Sequence, residues 1–338
     1  MGARRQVEPS HAILFPVLQN GRIGYIDREG KMIIPAQYEY PGSSSFLVVS
    51  SILARGFREG LAPVQAGEKW GHIDNRGKLV IDPIFDEAGI FDENRAPVNI
   101  SERWGYIDNS GKIVINPQFE EVGAFNMGHA AVKIDNKWGF IDPKGEYLVR
   151  PQFDNLTGIR GTLIEHPTQG RGLFSEGFAG VEVGQKWGYI DKSGRLAIPP
   201  QFEDASSFYE GLAGVELGGK WGFIDPKGEF AVNPQFNDIG GFGNGLAPVE
   251  SNGEWGFIDK KGTYVAQPQF EEAFSFFEGL AAIKFDGSWG YVDKQAKYTI
   301  HPQFEEAGNF ENGLALVRFL DGWGYINKEG KLIWNPTS

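Results

Sequence analysis

The 338-residue chain contains no cysteine, so disulfides, thiolate metal ligands and a cysteine nucleophile are excluded. Basic residues are outnumbered, 32 Lys and Arg against 44 Asp and Glu, and the net charge of −12 opposes binding to phosphate backbones. No nucleic-acid partner is expected, whereas a basic protein would be attracted. The chain also lacks any run of 18 apolar residues, so no insertion into a membrane as a helix is expected. Arg4 and Arg5 precede only a short apolar stretch from Ala12 to Leu18, broken by Pro16, which reads better as a first strand than as a secretory signal. A cytoplasmic location is the expectation, with a processed secreted form left open. Five histidines, His11, His72, His129, His166 and His301, are scattered without metal-binding spacing, and no phosphate loop or Gly-x-Ser-x-Gly elbow occurs. A non-enzymatic protein without metal or cofactor follows as the expectation.

What the chain does have is repetition. A Trp-Gly pair recurs at Trp70, Trp104, Trp138, Trp187, Trp221, Trp255, Trp289 and Trp323, spaced by 34 residues except for one step of 49. A ninth copy, Ile23-Gly24-Tyr25-Ile26-Asp27, lies 47 residues before Trp70. Residues 13–338 are therefore read as a single repeat domain behind an N-terminal extension, 1–12. A 34-residue period also belongs to helical-pair repeats, so the period alone does not choose between helix and strand. The pattern does: Gly or Pro interrupts every copy, leaving runs of four to six Val, Ile, Tyr, Phe and Trp, too short for helices.

In the copy from Asn244 to Phe276, Leu246 to Glu250 alternates, Asn252-Gly253 signals a hairpin, and Trp255 to Asp259 is aromatic and β-branched. A second turn at Lys260-Lys261-Gly262 leads to Tyr264 to Ala266, giving a three-stranded antiparallel meander. Pro268 is expected to stop the ladder, with Phe270 to Ala273 a short fourth strand at that copy's edge. Trp255 and Phe257 point to one face and Gly256 and Ile258 to the other. Both faces are apolar, so each sheet needs a neighbour on each side. The eight Trp are thereby read as core, and the Gly beside each as clearance for a ring of the next copy. Gly30, Gly77, Gly111, Gly145, Gly194, Gly228, Gly262 and Gly330, with Ala296 the exception, suit left-handed turn positions. The Asp three residues earlier can cap turn amides, and one carboxylate per turn falls far short of a calcium loop.

These residues resemble the bacterial WG repeat, also called the KWG repeat, best kept in Lys137-Trp138-Gly139-Phe140-Ile141-Asp142 and Lys186-Trp187-Gly188-Tyr189-Ile190-Asp191. The resemblance covers about residues 13 to 336 and implies an all-β repeat protein, without catalytic residues to carry over. Departures fall at the ends, with Ile23 for Trp and Asn327 for Asp. About nine meanders stacked face to face as an open, superhelical array are the expected architecture, with a closed β-propeller as the alternative.

Two long connectors, near 40–57 and 155–174, break the rhythm at the same point of the repeat. They carry Ser43, Ser44, Ser45 and Arg55, and Arg160, Glu165, His166 and Arg171, the candidate binding residues. Acidic pairs after the Pro-x-Phe element, from Asp86-Glu87 to Glu305-Glu306, suggest a negative stripe. Lys or Arg before Trp-Gly, at Arg22, Lys69, Arg103, Lys137, Lys186 and Lys220, suggests a basic stripe elsewhere. The functional expectation is a scaffold for a protein partner. A glycan-binding module, motivated by 14% aromatic content, is the alternative and an enzyme the least supported reading.

Overall fold

The computed structural model describes residues 13–39, 56–157, 174–320 and 322–335, and all regular structure among them is antiparallel β. The chain divides into two compact units, Met1–Gln118 and Phe119–Ser338. The first is built from sheet 1, residues 15–85, and sheet 2, residues 87–119. Sheet 1 has six strands, formed by two three-stranded meanders that join at the Glu39–Gln65 pair. The second unit holds sheets 3 to 8, residues 121–153, 155–202, 204–236, 238–270, 272–304 and 306–334, each of four strands. Among the described residues no helix is long and apolar enough to cross a membrane.

Sheet 6 is representative. Its strands Asp238–Ile239, Leu246–Ser251, Glu254–Asp259 and Tyr264–Phe270 lie side by side in chain order. The positive backbone angles expected at the second turn are present, at Gly262 with φ 79° and also at Ala296 with φ 57°. Asp259 caps that turn as expected, its Oδ1 accepting the N–H groups of Lys261 and Thr263, both at 2.9 Å.

Two local expectations are corrected. The short strand Glu272–Ala273 does not edge the copy that precedes it. It pairs with Ala281–Phe285 of sheet 7, so each 34-residue sequence repeat is shared between two sheets. Pro268 does not stop its strand either. Trp255 pairs with Phe270 and Phe257 with Ala266, so residues 267–269 form a bulge that asks no backbone donor of the proline. The bulge also explains the Gly of the Trp-Gly pair. A Cβ on Gly256 would lie 2.6 Å from the Ala266 carbonyl oxygen and 2.8 Å from the Pro268 nitrogen. The clearance is for the bulged backbone of the same sheet, where the sequence had suggested a ring of the next one.

The two-faced packing is as read. Phe257 joins Leu246, Phe270 and, from sheet 7, Phe276, Ala281, Ile283 and Val292. Ile258, on the other face, joins Ala247 and Val249 with Phe223, Val232 and Phe236 of sheet 5. In the first unit, Trp70, Ile81 and Phe85 of sheet 1 likewise meet Phe91, Ala96, Val98 and Ile107 of sheet 2.

The open superhelical stack is corrected in favour of the alternative: the sheets are β-propeller blades. A stack of equivalent flat sheets would hold its neighbours at even spacing, whereas these sheets are wedges. Leu246, Ala247, Pro248 and Val249, beside the short strand, are all buried, while the outermost strand Tyr264–Phe270 buries only Ala266 and Phe270. Within the second unit, successive sheets approach closely on the short-strand side. A Cβ on Gly243 would stand 2.2 Å from the Phe276 carbonyl oxygen, and one on Gly214 2.1 Å from the Cδ1 of the Ile239 side chain. Trp, Tyr and Phe fill the wider space towards the outer strand.

Candidate interaction surfaces

The candidate residues Ser43, Ser44, Ser45, Arg55, Arg160, Glu165, His166 and Arg171 lie outside the described residues. The points at which their connectors leave and rejoin the sheets are described. In an uninterrupted copy, the short strand Glu121–Val122 leads through Gly123 and Ala124 to the buried Phe125. The second connector falls between the corresponding Thr157 and Phe174, both buried. Phe174 then packs edge-on against Phe140 at 5.1 Å, and Phe57, after the first connector, packs against Tyr25 at 4.9 Å. The second connector thus opens after the short strand Asn155–Leu156, the first after Glu39, where the two meanders of sheet 1 join, and each is followed by an aromatic anchor.

The separate acidic and basic stripes are corrected, because the structure brings the two series together. The Lys before Trp-Gly reaches the first acid after the Pro-x-Phe element, as in the ion pairs Lys69–Asp86 and Lys137–Asp154. The same carboxylates accept hairpin N–H groups of the following sheet, from Ser101 at 2.7 Å and Gly184 at 2.9 Å. The side-chain bond from lysine first, and the backbone bond second, hold Asp86 and Asp154 below the usual carboxylate range. Glu203 and Glu271 similarly accept from Gly219 at 2.9 Å and Gly287 at 3.0 Å. Lys220 meets the neutral Asn237 at 2.6 Å, and Arg22 binds the Gln37 carbonyl at 2.8 Å. These charges clip successive sheets together.

The second acid of each pair sits in the short strand and faces the next strand. Glu121, Glu272 and Glu306 face Lys133, Lys284 and Arg318, at 2.6, 2.9 and 2.7 Å. In sheets 5 and 6, however, the register places Asp204 opposite Glu216 and Asp238 opposite Glu250. Burial first, then the neighbouring carboxylates, raises the pKa of Glu216; burial and Glu250 raise that of Asp238. This like-charge pairing is invisible until the register is known.

At the opposite end of the strands, left-handed turn residues bind the next sheet. Glu176, Glu210 and Glu278 accept the N–H groups of Gly211, Gly245 and Gly313 at 2.7, 2.8 and 3.0 Å, and Asn244 accepts that of Gly279 at 2.7 Å. In the first unit Glu59 accepts that of Asn94 at 2.9 Å.

The indoles offer little to an outside ligand. Trp70, Trp138, Trp187 and Trp289 are buried, Trp187 to 1% exposure, and Trp104, Trp221, Trp255 and Trp323 are half-buried. Of the histidines, His129 leans on Phe174, His301 lies over Tyr298, and His72 is fully buried. Among the described residues no group of three or more His, Asp and Glu side chains could hold a metal ion.

Comparison with known proteins adds to this geometry. The crystal structure of the eukaryotic initiation factor is similar over 95% of this chain and 95% of its own, with a TM-score of 0.61 and 10% identity, a likeness of fold alone. Lower similarity is found to the dihydro-heme d1 dehydrogenase NirN in complex with DHE, with a TM-score of 0.48 and 14% identity over 98% of this chain and 74% of that one. The C-terminal WD40 domain of Sif2 gives a TM-score of 0.41 and 9% identity over 80% and 92%. No curated protein sequence matches the chain. The WG containing repeat pattern matches residues 23–70, 70–103, 104–138, 138–161, 172–187, 187–221, 221–255, 255–289 and 289–322, and with nearly its whole length so matched the chain belongs to the WG containing repeat family.

Proposed function

We propose that this chain is a non-enzymatic cytoplasmic scaffold that binds a protein partner through its two long connectors and the strand ends from which they open. The observation that carries this reading is the common insertion point. Both connectors enter ahead of a core aromatic, Phe57 or Phe174, and leave the pairing of the flanking strands in place. A rigid frame that carries long loops at one equivalent position is suited to presenting them. The charged row lends no support to a groove for a basic partner, since its carboxylates are engaged by lysines and hairpin amides. Glycan stacking on the repeat indoles is less well supported, since four of the eight are buried and the other four half-buried.

The test replaces residues 40–55, and separately 158–173, by the short link of an uninterrupted copy. Partner capture from the native host, identified by mass spectrometry, should be lost in at least one variant with an unchanged far-UV circular dichroism spectrum. Undiminished capture by the doubly shortened protein would remove the connectors from the binding surface.

A further inference from the structure

One core position recurs in all nine meanders, two residues after the Trp or, in the first copy, Ile23. It holds Tyr25, His72, Tyr106, Phe140, Tyr189, Phe223, Phe257, Tyr291 and Tyr325, every one of them buried. Tyr189 and Tyr291 donate their hydroxyls to the Ser206 and Gly308 carbonyls at 2.7 Å, seventeen residues on, at the short-strand edge of the next sheet. His72 makes the same link, its Nε2 lying 2.8 Å from the Gly89 carbonyl oxygen. Phe91 packs edge-on against the imidazole at 4.9 Å, as Phe208 and Phe310 pack against Tyr189 and Tyr291.

The imidazole differs from the other eight rings in one respect: it can take up a proton in mildly acidic solution. Its Nε2–H donates to Gly89, and Nδ1 is buried with no hydrogen-bond partner. Its cross-strand partners Pro63 and Ile81, and Gly89 and Phe91 of the edge segment, carry no titratable group, and burial and the Gly89 bond alone act on its proton affinity. A proton on Nδ1 would place an unmatched donor and a full charge in this core. Burial accordingly lowers the pKa from 6.5 to about 4, against the smaller opposing effect of the Gly89 bond.

We propose that His72 is an acid-sensitive latch in the first unit, holding residues 89–91 of the short-strand edge to the core when neutral and releasing them when protonated. The released segment opens so that the imidazole can be solvated. Sheets of the second unit that carry Tyr or Phe here lack the device.

Hydrogen exchange followed by NMR, corrected for intrinsic rates, tests this between pH 6.5 and 4. The amides of Gly89 and Asp92, which donate to Pro97 and Arg95, report the latch, and those of Gly308 and Glu311, which donate to Leu316 and Leu314, serve as an internal control. Opening at Gly89 should rise by up to tenfold per pH unit in the wild type, beyond any rise at Gly308. His72→Tyr, which restores the hydroxyl link of Tyr189, and His72→Phe, matching Phe140, Phe223 and Phe257, should both abolish that excess. An equal pH response at Gly89 and Gly308, or an excess that survives in either variant, would overturn the proposal.

Discussion

At the scale of single residues, the Trp-Gly pair divides its labour in a way only half visible from the sequence. The alternation around Trp255 led to a reading of all eight tryptophans as core; Trp187 is 1% exposed, whereas Trp255 and three others are half-buried. Trp187→Ala is expected to cost about 3–5 kcal/mol in chemical denaturation. The glycine was legible as a close approach but not its neighbour, because a bulge leaves no periodic trace and Pro268 resembled a strand end. Gly256→Ala places a methyl group under 3 Å from rigid backbone. It should destabilise by about 3 kcal/mol, whereas Gly253→Ala, in open space, should cost only the strain of its turn. Equal losses for the two would contradict the bulge account.

Among elements, the informative features are junctions between sheets, and sequence alone could not assemble them. Lys69 and Asp86 were each noticed, but their meeting depends on a short strand that passes to the following sheet. Since Asp86 and Asp154 sit below their ordinary pKa, they contribute stability that is full above it and lost as pH falls through the lowered value. Lys69→Met should therefore flatten the acid limb of a stability–pH curve. Glu216, facing Asp204, and Asp238, facing Glu250, act with the opposite sign. Raised carboxyl groups favour the fold at low pH, and that contribution is lost as pH rises through the raised values. Glu216→Lys or Glu250→Lys recreates the arrangement of Lys133 with Glu121, and a gain of about 0.2–1 kcal/mol at pH 7 is expected in thermal or denaturant unfolding. A loss would mean that the raised carboxyls are satisfied in some other way.

For the molecule as a whole, the repeat was legible from the Trp-Gly spacing, its nine meanders from that spacing together with Ile23-Gly24, and its all-β character from the short runs between Gly and Pro. The choice between stack and blade was not, because it rests on a gradient across each sheet. Small residues such as Gly214 and Gly243 mark one side and bulky rings the other, a pattern that a reading strand by strand does not compare. His72 adds a global expectation. Its depressed pKa makes its stabilisation complete above pH 6.5 and progressively lost towards about pH 4, by roughly 3 kcal/mol in total. His72→Phe should remove that component from the equilibrium curve while leaving the carboxylate component in place.

The offset between sequence repeat and sheet bears on how the protein comes apart. A short strand belongs by covalent bond to one sheet and by hydrogen bonds to the next, and a clip such as Lys137–Asp154–Gly184 ties the same boundary again. No copy can melt without unpairing its neighbour's edge. Loss of order should therefore spread across adjacent sheets as a cooperative domino, and an excised 34-residue peptide such as 244–277 should remain unstructured in water.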